Sequence, residues 1–215
     1  MNETTLHYVY DPLCGWCYGA APLLKAAAAI PELRIELHAG GLWLGGRRQA
    51  MGQALRDYVR PHDERIQALT GQPFGERYFN ELLLRDGLLL DSEQPIRAIL
   101  AVTALGGNGL SLLHRIQQSH YRDGIWIGSL EHLTSLAAEQ NIGADDFVKA
   151  YQQAYQQADL ASHLADSQRW MRRLGGQGYP TLGLVQGDKV TPLSASSFLG
   201  EPEAFARQIQ LMMSR

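Results

Sequence analysis

Residues 9–24 read VYDPLCGWCYGAAPLL and hold both cysteines of a 215-residue chain, Cys14 and Cys17, with two residues between them. The spacing alone admits three readings: a redox pair, half of a metal site, or two small apolar residues that lie close. The flanking residues favour the first. The run TLHYVYD (5–11) is rich in β-favouring side chains and ends at Asp11-Pro12, which reads as a strand followed by a turn. From Cys14 to Ile30 the residues are Ala- and Leu-rich and predict a helix, with a local irregularity at Pro22 and a stop at Pro31. ELRIELHAG (32–40) then alternates Leu33, Ile35 and Leu37 with Arg34, Glu36 and His38, a strand pattern. Residues 5–39 therefore predict a β-α-β unit with parallel strands.

Cys14 falls where that helix begins. A thiol attacks as its thiolate, and an ordinary cysteine with pKa about 8.5 is only ~3% ionised at pH 7. A helix start presents free N–H groups and a positive dipole end, both of which stabilise an anion. Cys17 lies about one turn on, on the same face, within reach of a mixed disulfide formed at Cys14. The expectation is an exposed attacking Cys14 and a more buried, resolving Cys17.

Composition limits the alternatives. Hydrophobic residues make up 45% of the chain and charged residues 19%, which is ordinary globular usage. Net charge is -3, so nothing advertises nucleic acid or an anionic membrane as partner. The start MNETTLHYVY has neither a basic segment nor a long apolar one. The expected location is the cytoplasm, where paired cysteines are catalytic or metal-binding more often than structural. A structural zinc site needs four ligands, and there is no second cysteine pair. The closest histidines, His114 and His120, are far from Cys17 and sit only at the edge of ligand spacing. No metal site is expected.

The C-terminal end has a different order. TLGLVQG (181–187) and DKVTPL (188–193) predict two strands joined by a type II′ turn at Gly187-Asp188, and EPEAFARQIQLMM (201–213) predicts a helix opening at Pro202. Between the two ends lie helical patterns at 92–107, 110–124, 129–143, 144–157 and 158–178, with Asp145 and Asp146 in cap positions of the fourth. QALRDYVRPHDERIQALTG predicts a helix broken at Pro61, and GERYFNELLLRDG a further helix. The stretch GQGYPTLGL (176–184) places Pro180 at a strand entry, where trans is the default for an isolated X-Pro bond.

A strand, C-G-W-C opening a helix, a helical insertion, then G-Y-P-T leading a hairpin and a final helix together resemble the DsbA-like branch of the thioredoxin fold. The likeness spans nearly the whole chain and is strongest to the cytoplasmic, signal-less members, the FrnE-like group and those described as predicted protein-disulfide isomerases. The resemblance implies an α/β thioredoxin-like fold, β-α-β plus β-β-α around a central sheet. Residues 1–45 and 176–215 would form that domain and 46–175 a helical insertion. It implies a thiol-disulfide oxidoreductase, reductase- or isomerase-like, with Cys14 attacking, Cys17 resolving and Pro180 in the cis form. Trp16, Tyr179, Pro180 and Thr181 would bind substrate, and the Tyr179 backbone would meet an extended peptide. Implied partners are protein or peptide disulfides, with glutathione as a candidate reductant and no other cofactor.

The same resemblance sets the rivals. Kappa-class glutathione transferases and chromene-carboxylate isomerases share the fold but carry Ser at the attacking position, and a zinc-holding or redox-sensing module remains a non-enzymatic alternative. Gly15-Trp16 departs from the Pro-His of DsbA, whose oxidising power comes from a stabilised reduced form. The expected potential is therefore milder, about -200 mV, at which a cytosol near -260 mV keeps the pair reduced. Four glycines in AGGLWLGGRRQ (39–49) predict a loop in which Arg47 and Arg48 are either an anion site or a solvated pair. Arg97 either pairs with Asp91 or Glu93, the favoured reading, or faces the active site, and Lys25 and Glu36 are candidates for buried charges assisting Cys17.

Overall fold

The computed structural model describes residues 3–154 and 157–214. In chain order the elements are β1 (Thr4–Tyr10), α1 (Gly15–Ala28), β2 (Leu33–Ala39), β3 (Gln49–Ala50), α2 (Gln53–Thr70), β4 (Leu89–Leu90), α3 (Glu93–Ala104), α4 (Gly109–Gln117), α5 (Leu130–Ala138), α6 (Ala144–Gln153), α7 (Gln157–Arg173), β5 (Thr181–Gln186), β6 (Lys189–Leu193) and α8 (Pro202–Met213). The main sheet runs β2-β1-β5-β6, with β1 parallel to β2 and antiparallel to β5, and β5 antiparallel to β6. This is the thioredoxin-like arrangement, β-α-β and β-β-α sharing one sheet. The hairpin turns as expected: Gly187 takes φ +57° while Asp188 keeps a negative φ, the pattern of a II′ turn rather than a I′ turn. Pro192 is tolerated inside β6 because β6 is an edge strand.

Alternation along β1 divides the surrounding helices between the two sheet faces. Tyr8 looks toward α1 and α4, whose residues line a cavity with it, while His7 stacks on Trp170 of α7 at 3.6 Å between ring centroids. α1 packs against α8, and α7 against β1 and β2. One hydrophobic core runs through both chain segments, taking Leu6 and Tyr8 together with Leu112 and Phe147. The polar face of β2 is covered only at its C-terminal end: Arg34 is exposed and Glu36 half-exposed, whereas His38 is 3% exposed beneath α7. Burial pushes His7 and His38 down to about 4, so both are neutral imidazoles at pH 7.

Several local expectations are corrected. α2 runs unbroken through Pro61, because Pro61 and Asp57 lie on its exposed face and the carbonyl left without a donor can be met by water. The expected helix at 75–87 is reduced to a short π-helical turn, Tyr78–Leu82, that buries Tyr78, Phe79 and Leu82. Gly143, not an aspartate, caps α6; Asp145 and Asp146 lie in its first turn, where they still complement the dipole. That helix was expected to continue to 157, across Tyr155 and Gln156, which lie outside the described residues.

Candidate active site

The β1–α1 junction sets the two thiols. Asp11 closes the strand and is fully buried. Its Oδ1 accepts from the Leu13 N–H at 2.8 Å and from the Ser92 hydroxyl at 3.0 Å, and its Oδ2 from the Leu42 N–H at 2.5 Å. One carboxyl thus ties the turn before Cys14 to the loop after β2 and to the residue preceding α3. Desolvation raises it to about 6, with those three hydrogen bonds opposing the rise.

Cys14 caps α1 with extended backbone, and its sulfur accepts from the Cys17 N–H at 3.4 Å. The sulfur thus occupies the capping position of a helix N-terminus. Cys17 is completely buried, and Cys14 retains 7% exposure. The order of accessibility is the expected one, but Cys14 is a mostly covered thiol rather than an exposed one. Burial pushes the Cys17 thiol well up, followed by its hydrogen bond and charge interaction with Cys14. The Tyr8 hydroxyl donates to the Cys17 carbonyl at 3.4 Å.

The cover over Cys14 comes from 165 residues away. The Tyr179-Pro180 peptide bond is cis, and the Cys14 thiol donates to the Tyr179 carbonyl at 3.5 Å. The Tyr179 ring lies against Gly40, where a Cβ would stand 1.9 Å from a ring carbon. Thr181 is mostly buried and turns its hydroxyl back to the Gly178 carbonyl at 2.7 Å, so it holds the loop's shape.

Two depressions meet at Trp16. One, of about 620 Å³, is lined by Cys14, Trp16, Arg47, Met171 and Tyr179. The other, of about 530 Å³, runs past Trp16, Pro180, Thr181 and Leu199. Trp16 is half-buried rather than free, with His62 at its edge and the Arg65 guanidinium 5.9 Å from its ring centre. Gly15 is needed for packing: a Cβ there would lie 2.5 Å from Asp63 Oδ1 and 3.1 Å from Ile66 of α2. Cys14, Cys17, Trp16, Tyr179, Pro180 and Gly15 are thus assembled in one place.

The charged candidates sort differently. Arg48 is bound to Asp91 and Glu93, and Arg97 to Glu93 and the Ala154 carbonyl. Arg47 donates to the Gly41 carbonyl at 2.6 Å, is in no ion pair among the described residues, and faces the Cys14 depression. Lys25 is exposed and Glu36 points at two histidines beneath α7, so neither serves Cys17. Two buried acids lie near the thiols: Asp63, against Gly15, and Asp11, whose charge acts on Cys17. Local sequence marks Asp11 only as a turn residue, and the Asp-Pro before the first cysteine is the signal that points to it.

No family model matches the chain, and no curated protein matches its sequence. Solved structures do. The cytosolic disulfide reductase DsbM from Pseudomonas aeruginosa is 42% identical over 98% of each chain, with a TM-score of 0.90. Its structure with GSH is 41% identical over 98% of this chain and 100% of that one, with a TM-score of 0.88. A 2-hydroxychromene-2-carboxylate isomerase is 16% identical over 98% of both chains at a TM-score of 0.59, a likeness of fold alone.

Proposed function

We propose, for a chain that belongs to the DsbA-like thioredoxin-fold thiol-disulfide oxidoreductases, that Cys14 and Cys17 reduce or isomerise disulfides in the cytoplasm with glutathione as the returning reductant. The observation that carries this reading is the Cys14 sulfur held between the Cys17 N–H and the Tyr179 carbonyl. The cytoplasmic and glutathione parts rest on the 42% identical reductase, named as cytosolic and solved with GSH.

The Cys14 thiolate attacks one sulfur of a substrate disulfide, forming a mixed disulfide and releasing the other sulfur as a thiolate. Cys17, once deprotonated, attacks Cys14, closing the Cys14–Cys17 disulfide and releasing the second substrate thiolate. Substrate gains two electrons and the enzyme loses two. Two glutathione thiols then restore the dithiol and leave as glutathione disulfide. Asp11 is the buried group suited to take the Cys17 proton, since its carboxyl, raised to about 6, is ionised at neutral pH. Retention of that proton on Cys17 until Cys14 has reacted gives the two steps their order.

Substrate binding follows from the same loop. An extended segment beside the cis peptide bond can pair with the Tyr179 backbone, Trp16 offers it an apolar face, and Arg47 a cation for a glutathione carboxylate. Equilibration of the Cys14–Cys17 couple in glutathione buffers tests the direction. A potential close to about -200 mV fits a reductase or isomerase, whereas one near -120 mV would make the protein a net oxidant and overturn the reading. Cys14→Ser is expected to abolish reduction of insulin or glutathione disulfide, and Cys17→Ser to accumulate the mixed disulfide. Activity that survived Cys17→Ser would favour a glutathione transferase-like enzyme on this fold.

A further inference from the structure

On the sheet face away from α1, three metal-binding side chains meet. β1 and β2 are parallel, His7 lies opposite Glu36, and His38 is two residues further along β2 on the same face. His7 Nδ1 is 2.8 Å from His38 Nε2; Glu36 Oε2 is 3.9 Å from His7 Nδ1, and Glu36 Oε1 is 3.9 Å from His38 Nε2. We propose that His7, Glu36 and His38 form a binding site for one zinc-class divalent ion, separate from the cysteine pair.

The distances carry the argument. A tetrahedral ion with bonds of about 2.0–2.1 Å holds its ligand atoms about 3.3–3.4 Å apart. The two ring nitrogens are about half an ångström closer than that, and each Glu36 oxygen is about half an ångström too far from its nearer nitrogen, so parting the rings and drawing the carboxylate in would seat an ion among the three side chains. At 3.9 Å the carboxylate is beyond hydrogen-bond distance of either ring, and Glu36 is in no ion pair with Lys or Arg among the described residues. Two histidines and a glutamate are a common zinc set with a fourth position left for water.

The surroundings fit as well. His7 and His38 are each 3% exposed, and the Trp170 ring stacks on His7 and tilts over His38, so both rings are held in place. The Glu36 side chain is 42% exposed and supplies the entry side. One ring nitrogen donates to the other across the 2.8 Å contact, so an ion bound to both would require that proton to sit on an outer ring nitrogen. Arg34 and Arg173 act on His7 as positive charges and weaken the site. The ion would clasp edge strand β2 to β1 under α7.

The test uses the full, tag-free chain carrying Cys14→Ser and Cys17→Ser, so that no thiolate competes for metal. Titration with Co²⁺ and competition with Zn²⁺ should show one ion per chain, with the visible bands of a four-coordinate nitrogen and oxygen site. Adding Glu36→Gln, at a half-exposed position, should weaken binding at least about tenfold with an unchanged far-UV circular dichroism spectrum, and His7→Gln should weaken it as much. No stoichiometric binding would overturn the proposal. Binding unchanged by Glu36→Gln, with or without an effect of His7→Gln, would overturn it too.

Discussion

The Cys14 sulfur lies 3.5 Å from the carbonyl oxygen of Tyr179 while accepting from the N–H of Cys17 at 3.4 Å. One contact belongs to the helix that Cys14 caps, the other to a loop 165 residues away. Both must hold for a substrate sulfur to be met by a nucleophile and a backbone together. Alkylation of the reduced protein at neutral pH is therefore expected to label Cys14 first. Cys17, fully buried and with its thiol pushed well up, should react only on unfolding. Mass spectrometry of a timed iodoacetamide reaction checks this, and the opposite order would refute the assignment of attacker and resolver.

Gly40→Ala should impair substrate binding while leaving the fold intact. The added methyl would stand 1.9 Å from the Tyr179 ring, which can leave by rotating outward because it is only half-buried. The expected result is on the order of a tenfold loss of kcat/KM, carried mainly by KM, with a small change in Tm. An unchanged KM would mean that the ring's position does not matter.

Arg47→Ala should raise the KM for glutathione severalfold and leave Cys14 alkylation unchanged, because Arg47 lines the Cys14 depression without belonging to an ion pair among the described residues. Arg48→Ala should instead cost stability, through loss of its bonds to Asp91 and Glu93. Steady-state kinetics beside thermal melts separates the two.

Two buried groups set opposite pH trends in stability. Burial pushes His120 down to about 3, so between pH 6.5 and 3 the unfolded chain binds a proton that the folded one refuses. That contribution is full above 6.5 and is lost as pH falls. His120→Phe, which keeps an aromatic ring among Tyr78, Tyr121 and Trp126, should make the acid-side slope shallower by about 1.4 kcal/mol per pH unit. Asp63 runs the other way. Burial raises it to about 7, against the hydrogen bond from the Tyr78 hydroxyl, so its folded form is disfavoured as pH rises from about 4 to 7. Asp63→Asn should be more stable than the parent at pH 8, on the order of one to a few kcal/mol, and the gain should vanish below pH 4. Urea melts across the pH range give both slopes.

Local chemistry was legible in the chain because it depends on near neighbours. Strand, turn and helix propensities around Cys14 and Cys17 placed a thiol at a helix start, and Gly187-Asp188 specified its own turn. Apolar periodicity marked most of the helices, though not that α2 would pass through Pro61, which depends on which face meets water. What required the tertiary structure were the groups brought in from a distance. Asp11 became a buried acid only because Leu42 and Ser92 close over it. Arg47 and Arg48, adjacent in sequence, parted because a single residue step turns one toward the Cys14 depression and the other to Asp91 and Glu93. Glu36 left the thiols altogether, because alternation along β2 puts it on the sheet face that α7 covers, beside His7 and His38. Propensity and periodicity act over a few residues and are written in the sequence. Burial, charge pairing and strand register act across the whole chain and exist only after it has folded.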